Sequence, residues 1–322
     1  MNQSRFAGLL VAALLLTSLP VCADEAFVTT QGADALDIVD LTSLSVVATL
    51  PIGGKPAGVS VSRDGARAFV TSPEGKFLTV IDARAHRIER RIPIEGGPLG
   101  VAASPDGGRV YVADLYGKRL VEIDPASGAT LRSVSVGAMA SGVAATPDGK
   151  TILVADRDDN AISIIDAVSF RRVATLAVGR HPFGVAIDAA GARAYTADVE
   201  SDSVSVIDLS ARHVVATLKT GSRPYTVALA AGRIFVVNQH ADSVSVFDAA
   251  SLAPVGEVKV GEYPEGVAAT RDGAKVLVAC WFSNELWAID PVRLSVAGRA
   301  TTGDGPRAFG LFTGAGAPRP PD

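Results

Sequence analysis

The sequence predicts an all-β fold, a closed ring of small antiparallel sheets, on three observations. The chain repeats at about 42 residues: Val39-Asp40, Ile81-Asp82, Ile123-Asp124, Ile165-Asp166, Ile207-Asp208, Phe247-Asp248 and Ile289-Asp290 close seven apolar runs in phase. The runs alternate apolar and small polar residues, as in Ala161-Ile162-Ser163-Ile164-Ile165-Asp166, which is the period of a half-buried strand. No helical periodicity of useful length occurs after residue 23. A fixed period of roughly 20–50 residues belongs to arrays of identical units, none of which buries its apolar face alone.

One copy, residues 141–182, shows how a unit is built. Gly142 to Thr146 is a small apolar strand, and Pro147-Asp148-Gly149 is a turn with a glycine free to take positive φ. Thr151 to Asp156 is the second strand, and polar Arg157 to Asn160 form a loop. Ala161 to Asp166 is the third strand and Val173 to Val178 the fourth. Four strands of ~6 residues and four connections of ~4 give ~40, close to the period. Four-stranded units repeated seven times close radially as a seven-bladed β-propeller, which leaves only short protected edges.

The punctuation recurs in phase. Glycine precedes the first strand at 53, 137, 179, 221, 261 and 303, and proline follows at 56, 98, 182, 224, 264 and 306. The hairpin turn shortens to Ala231-Gly232 in the sixth copy, which accounts for the single step of 40. Second strands run from Ala26–Thr29 to Val276–Ala279, so the mature chain starts on a second strand and ends on a first one, Ala308-Phe309-Gly310-Leu311-Phe312. The closing blade is therefore expected to take one strand, at 307–312, from the C-terminus and three from the N-terminus. The propeller is expected to span 24–313, with Gly314 to Asp322 a disordered tail.

The first 23 residues read as a secretory signal peptide. Arg5 gives a positive start, Phe6 to Leu19 is an apolar run too short to span a bilayer, and Val21-Cys22-Ala23 is a small-residue cleavage site. Val21 stands where a lipid-anchor motif wants Gly, Ala or Ser, so a mature start at Asp24 is expected, with a periplasmic or secreted product. The mature chain keeps a single cysteine, Cys280, and so has no internal disulfide. The formal charge is −4 and the basic residues are scattered, which gives no nucleic-acid footprint. No second apolar stretch is long enough for a membrane span.

Ala26-Phe27-Val28-Thr29-Thr30, Val110-Tyr111-Val112-Ala113-Asp114 and Ile234-Phe235-Val236-Val237-Asn238 resemble the Tyr-Val-Thr-Asn signature of the YVTN-family propeller repeats. Pro182-Phe183-Gly184-Val185-Ala186 and the Pro-Asp-Gly turns fit the same pattern, over about 26–312. The resemblance implies the fold and leaves function open, since that family includes surface-layer proteins, periplasmic binding proteins and relatives of quinoprotein subunits. Cys280-Trp281-Phe282-Ser283-Asn284 and Gly305-Pro306-Arg307-Ala308-Phe309-Gly310 look like propellers associated with pyrroloquinoline-quinone-dependent alcohol catabolism. That likeness implies an accessory role beside a periplasmic quinoprotein dehydrogenase system.

No cofactor or metal is expected. The mature chain lacks the Cys-x-x-Cys-His of covalent haem, a His-Glu-x-x-His zinc motif, a Gly-x-Ser-x-Gly elbow and a phosphate-cradling glycine loop. Ligands usually meet a propeller on the face where the loops before the first strand and after the second converge. The arc from His181 through Arg223, Tyr225, His240, Tyr263, Glu265, Trp281 and Arg307 gathers aromatic, basic and imidazole groups there, while Lys55 to Ser141 offer few. These eight residues are the predicted site, for an unidentified protein or small molecule. Plainer readings stand beside this one. Asp114, Asp156, Asp198 and Asn238 are read as binding neighbouring amides, and the strand-ending aspartates as turn caps. His86 and His213 are read as solvated, Cys280 as a small buried residue, and Trp281 and Phe282 equally as packing under the axis. The leading function is a binding or scaffold module with no catalytic residue. The rivals are a lactonase-like hydrolase or an oxidoreductase subunit on the same face, relying on Glu265 and the Asp series, and a structural surface protein.

Overall fold

The computed structural model describes residues 22–318. It is a ring of seven four-stranded antiparallel sheets, as the repeat predicts. Blade 1 joins Cys22–Thr30, Ala35–Asp40 and Ser45–Pro51 to Thr313–Pro318 from the other end of the chain. Blades 2 to 7 follow as consecutive units over 59–93, 98–135, 140–177, 182–219, 224–259 and 264–301. Each runs from the axis outward, and its fourth strand is largely exposed, as in Arg171–Ala177. Apolar side chains of facing second and third strands fill the space between blades, among them Phe27, Phe69, Tyr195 and Phe235. One short 3-10 turn, Arg157–Asp159, is the only helix among the described residues. The expected signal segment lies outside the described residues except for Cys22 and Ala23, which begin the first strand.

The closing strand sits later than expected. Arg307 N donates to Thr29 O at 2.8 Å and Phe27 N to Phe312 O at 2.8 Å, so the stretch between carries extra residues against its partner. Gly310, at φ 115°, lets that stretch swing its carbonyls toward blade 2, where Val59 N and Val61 N donate to Phe309 O and Leu311 O at 3.0 and 2.8 Å. Regular pairing resumes at Thr313 opposite Ala26 and Gly314 opposite Glu25. Gly314 to Pro318, expected in a disordered tail, are thus strand, and only 319–322 fall outside the described residues.

Side chains also bind the seam. Asp37 Oδ2 accepts from Gly303 N at 2.7 Å, Thr313 Oγ1 donates to Ala269 O at 2.7 Å, and Lys275 Nζ donates to Leu41 O. His86 is a correction: it is not simply solvated, since its Nε2 lies 2.9 Å from Oε2 of buried Glu25, tying blade 2 to blade 1. The strand-ending aspartates do cap turns. Asp166 Oδ1 accepts from Ser169 N at 2.7 Å, and Asp208 and Asp248 Oδ1 accept likewise from Ala211 N and Ser251 N at 2.8 and 2.7 Å. These amide bonds hold all three carboxyls below their ordinary range.

Candidate functional site

In five blades the innermost strand bulges as it starts. The register shifts between Pro98 and Val101, Ala140 and Val143, Pro182 and Val185, Pro224 and Val227, and Pro264 and Gly266. A bulge re-aims the side chain it carries. Here it turns one residue toward the axis, the one after the proline or, in blade 4, after Ala140: Leu99, Ser141, Phe183, Tyr225 and Glu265, with Ala57 and Arg307 in the same phase. Ala57, Leu99, Phe183, Tyr225 and Phe309 come from five blades yet share one apolar cluster, so they meet at the centre of the ring. Phe183 stacks on Tyr225 with ring centroids 3.9 Å apart and takes Phe309 edge-on at 5.2 Å.

The recurring Pro-x-Gly-Val pattern has its cause in the same place. A Cβ on Gly58, Gly100 or Gly142 would lie 2.3, 1.8 or 2.2 Å from the axial carbonyl of the next blade, Leu99 O, Ser141 O or Phe183 O. Blade 6 has Thr226 there instead, and its hydroxyl donates to Glu265 O at 2.5 Å. Glycine suits this close packing of neighbouring strands and holds five of the seven positions; Thr226 replaces the contact with a hydrogen bond, and Ala308 stands in the closing segment.

On this plug sits a polar cluster. Arg307 Nη2 donates to Tyr225 Oη at 2.8 Å and Nη1 to Gln31 Oε1 at 3.3 Å. Its Nε lies 2.7 Å from Glu265 Oε2, an ion contact that is close without hydrogen-bond alignment. Gln239 Nε2 donates to the other carboxylate oxygen at 2.7 Å. The guanidinium also lies 5.6 Å from the ring centroids of Trp281 and Phe309. Burial pushes the Glu265 carboxyl up, and Arg307 and then the Gln239 bond pull it back. Burial likewise pushes the Tyr225 phenol up. For Arg307 desolvation is the largest single effect and works against the charge, but Glu265 and Tyr225 together outweigh it, so the guanidinium holds its proton more tightly.

Above the plug lies the rim. His181, Arg223 and Tyr263, each just before a repeat proline, adopt left-handed backbone at φ 53°, 53° and 56°. Their amides are held from one loop back: His181 N by Asn160 Oδ1 at 2.9 Å, Arg223 N by Asp202 Oδ1 at 2.8 Å, Tyr263 N by Asp242 Oδ1 at 2.9 Å. Asn160, Asp202 and Asp242 are themselves left-handed, at φ 54°, 49° and 49°. Such backbone costs non-glycine residues energy and persists only where the surroundings enforce it. The rim side chains are therefore presented on a rigid frame. His240, Tyr263 and Phe282 form a continuous aromatic run, with centroids 5.6 and 4.9 Å apart, and Phe282 is 63 % exposed.

The eight predicted residues thus divide. Tyr225, Glu265 and Arg307 are brought together on the axis with Trp281 over them, and they contact one another. His240 and Tyr263 are neighbours on the rim beside Phe282, Arg223 is an exposed cation at the next proline, and His181 stands apart, its Nδ1 3.3 Å from Glu200 Oε1. Phe282, read as equally a packing residue under the axis, is instead exposed on the rim. Sequence reasoning missed Gln31 and Gln239. Gln31 and Gln239 share the phase of Trp281, one residue past the end of the second strand, and that phase was the available signal.

The carboxylates on which a hydrolytic reading relied are engaged within their own blades. Asp114 Oδ1 accepts from Gly97 N and Gly117 N, both at 2.9 Å, and Oδ2 from Arg119 Nε at 3.0 Å. Asp198 accepts from the hydroxyls of Thr196 and Ser205 at 2.8 and 2.7 Å. Cys280 is buried, and burial pushes its thiol up, as for an inert packed thiol. Among the described residues no cluster of three or more His, Cys, Asp or Glu side chains could hold a metal. Open grooves of about 540 and 700 Å³ lie elsewhere, between blades 4 and 5 beside Asp202 and Lys219 and between blades 2 and 3 beside Arg67 and Asp106, and none of the eight residues lines them.

By fold the chain is a seven-bladed β-propeller. A family profile described as YNCE-like beta-propeller matches residues 22–102, blade 1 to the first strand of blade 3. No curated protein matches the chain. Among solved structures it is similar to Kuenenia stuttgartiensis hydrazine synthase, with 21 % identity, a TM-score of 0.72, and 78 % of this chain and 88 % of that one covered. It is also similar to a functionally unknown protein from Desulfotomaculum acetoxidans, with 15 % identity, a TM-score of 0.75, and 89 % and 99 % covered. At these identities the likeness shows the architecture alone.

Proposed function

We propose that this propeller is an exported, periplasmic or secreted binding module whose partner engages the rim from His181 through Arg223, His240 and Tyr263 to Trp281 and Phe282. One observation carries the reading: the central ring of an exposed aromatic run, Tyr263, stands on a left-handed turn pinned from the neighbouring loop, above polar groups already engaged with one another. The rim is built to present side chains, and the axis beneath is built to hold them still. Aromatic side chains on rigid backbone are the usual anchors of an interface. Catalysis gains no support from the axis, where both Glu265 oxygens and all three Arg307 nitrogens are occupied by protein groups. A place beside a quinoprotein dehydrogenase system is the finer form of the proposal, and it rests only on the resemblance of 280–284 and 305–310.

The test is capture from the extracytoplasmic fraction of the source organism by the immobilised chain. His240→Ser, Tyr263→Ser and Phe282→Ser combined should abolish specific capture, and Lys55→Ser, Lys76→Ser and Lys118→Ser combined should leave it intact. Capture that survives the first set and is lost with the second refutes the proposed face.

A further inference from the structure

The aromatic run is bordered by unequal charge, and this points to the chemistry of its occupant. Tyr263 packs between His240 and Phe282, and the Trp281 ring lies against Gly305 at the far end. Three exposed carboxylates border these rings: Asp242, which holds the Tyr263 amide; Glu262, whose carbonyl accepts from Phe282 N at 3.3 Å; and Asp304, next to Gly305. Two exposed cations reach the same stretch, Arg223 and Lys259; Lys259 is paired with Glu257 at 2.8 Å, and Arg307 below is paired with Glu265. Exposed ring faces beside an excess of carboxylates attract a cation twice, through the ring quadrupole and through Coulomb attraction. An anionic occupant would meet repulsion from the carboxylates and nothing from the ring faces.

We propose that the His240–Tyr263–Phe282 strip binds a lysine- or arginine-bearing segment of a partner protein. The inference rests on the rim being the binding face and adds the class of partner. The charges make opposite predictions for two neighbouring variants. Removing Glu262 weakens binding and removing Arg223 strengthens it, although both side chains lie on the same rim. Under a purely steric or apolar mode, both would act alike.

The experiment is a titration of the full mature chain with a short acetylated lysine peptide, with a glutamate peptide of equal length as control, at low and at physiological salt. Binding of the lysine peptide is expected, weakened by salt because the attraction is screened. Phe282→Ala and Glu262→Gln should each weaken it about two- to fivefold, the size expected of one exposed cation–ring or one surface charge contact. Phe282→Tyr should bind as the natural chain does, and Arg223→Gln should bind more tightly. No binding of the lysine peptide, preference for the glutamate peptide, or weakening by Arg223→Gln overturns the proposal. If partner capture still depends on Tyr263 and Phe282 in that event, the face stands and the cationic class is wrong. If capture is also indifferent to them, the face itself falls.

Discussion

Arg307 and Glu265 lie 2.7 Å apart across the seam where the two ends of the chain meet. Arg307 belongs to the C-terminal segment, Gln31 to the N-terminal one, and Tyr225 and Glu265 to blades 6 and 7, so one guanidinium ties both ends of the chain to two further blades. Breaking a buried ion pair from one side strands the other charge. Arg307→Met should cost about 3–5 kcal/mol in urea unfolding, and adding Glu265→Gln should recover a good part of it. The single variant should also regain stability as the pH falls, because a stranded carboxyl whose folded pKa rises is penalised only once it ionises. Equal losses in the single and double variants would show that Arg307 acts through packing alone.

The closing strand makes a separable prediction. Ending the chain after Phe312 removes Thr313–Pro318 and exposes the edge of Cys22–Thr30, which should lower the melting temperature and broaden the transition. Ending it after Gly310 also removes the fully buried Phe312, which should cost about 1.5–3 kcal/mol more. Calorimetry on the two truncations separates the strand from its anchor, and identical melting of both with the full chain would refute the latch.

The rim stores strain that a single substitution can release. Arg223 sits at φ 53°, and left-handed backbone costs a non-glycine residue about 1–2 kcal/mol, while glycine pays about 0.5–1 kcal/mol in lost chain freedom. Arg223→Gly should therefore stabilise the protein by about 0.5–1 kcal/mol by these same costs, and Arg223→Ala, which keeps the strain, should change little. Both variants lose the same side chain, so both should affect the partner alike. A stability gain confined to the glycine variant in urea titrations marks the strain as real.

The ring was legible because its period is long-range information written locally: each copy carries its own turns, alternation and strand-ending aspartate. The phase of the proline and of the second-strand end also placed Tyr225, Glu265, Arg307 and Trp281 on one face. What could not be read was which of them touch, because Gln31, Tyr225, Glu265 and Arg307 meet only after closure brings distant segments together. The late closing strand was hidden for a similar reason, since Gly310 looked like part of an alternating run and instead turns the chain toward blade 2. His86 looked solvated because its partner, Glu25, lies 61 residues away on the other side of a blade boundary.

A buried acid read as binding neighbouring amides, and held chiefly by the Thr196 and Ser205 hydroxyls, gives the sharpest pH test. Asp198 is fully buried at the end of its strand, and burial pushes its carboxyl from an ordinary 3.8 up to about 6, against the pull of the Ser205, Thr196 and Gly179 hydrogen bonds. Below about pH 4 the carboxyl is protonated in both the folded and unfolded chains, and its titration costs nothing. Between about pH 4 and 6 the unfolded chain releases a proton that the folded chain retains, so stability falls as the pH rises and then levels off. The full penalty above pH 6 is about 3 kcal/mol. Blade 6 shows the remedy: Asn238 holds the same position, and its Nδ2 donates to Ser243 and Ser245 Oγ at 3.1 and 2.9 Å. Asp198→Asn should therefore raise stability at pH 7 by up to about 3 kcal/mol and leave it unchanged at pH 3.5, flattening the profile between them. Asp156, also raised by burial, leaves a residual slope of the same sign. Urea titrations across that range decide the matter, and an unchanged slope in the variant would mean that Asp198 keeps its charge in the fold.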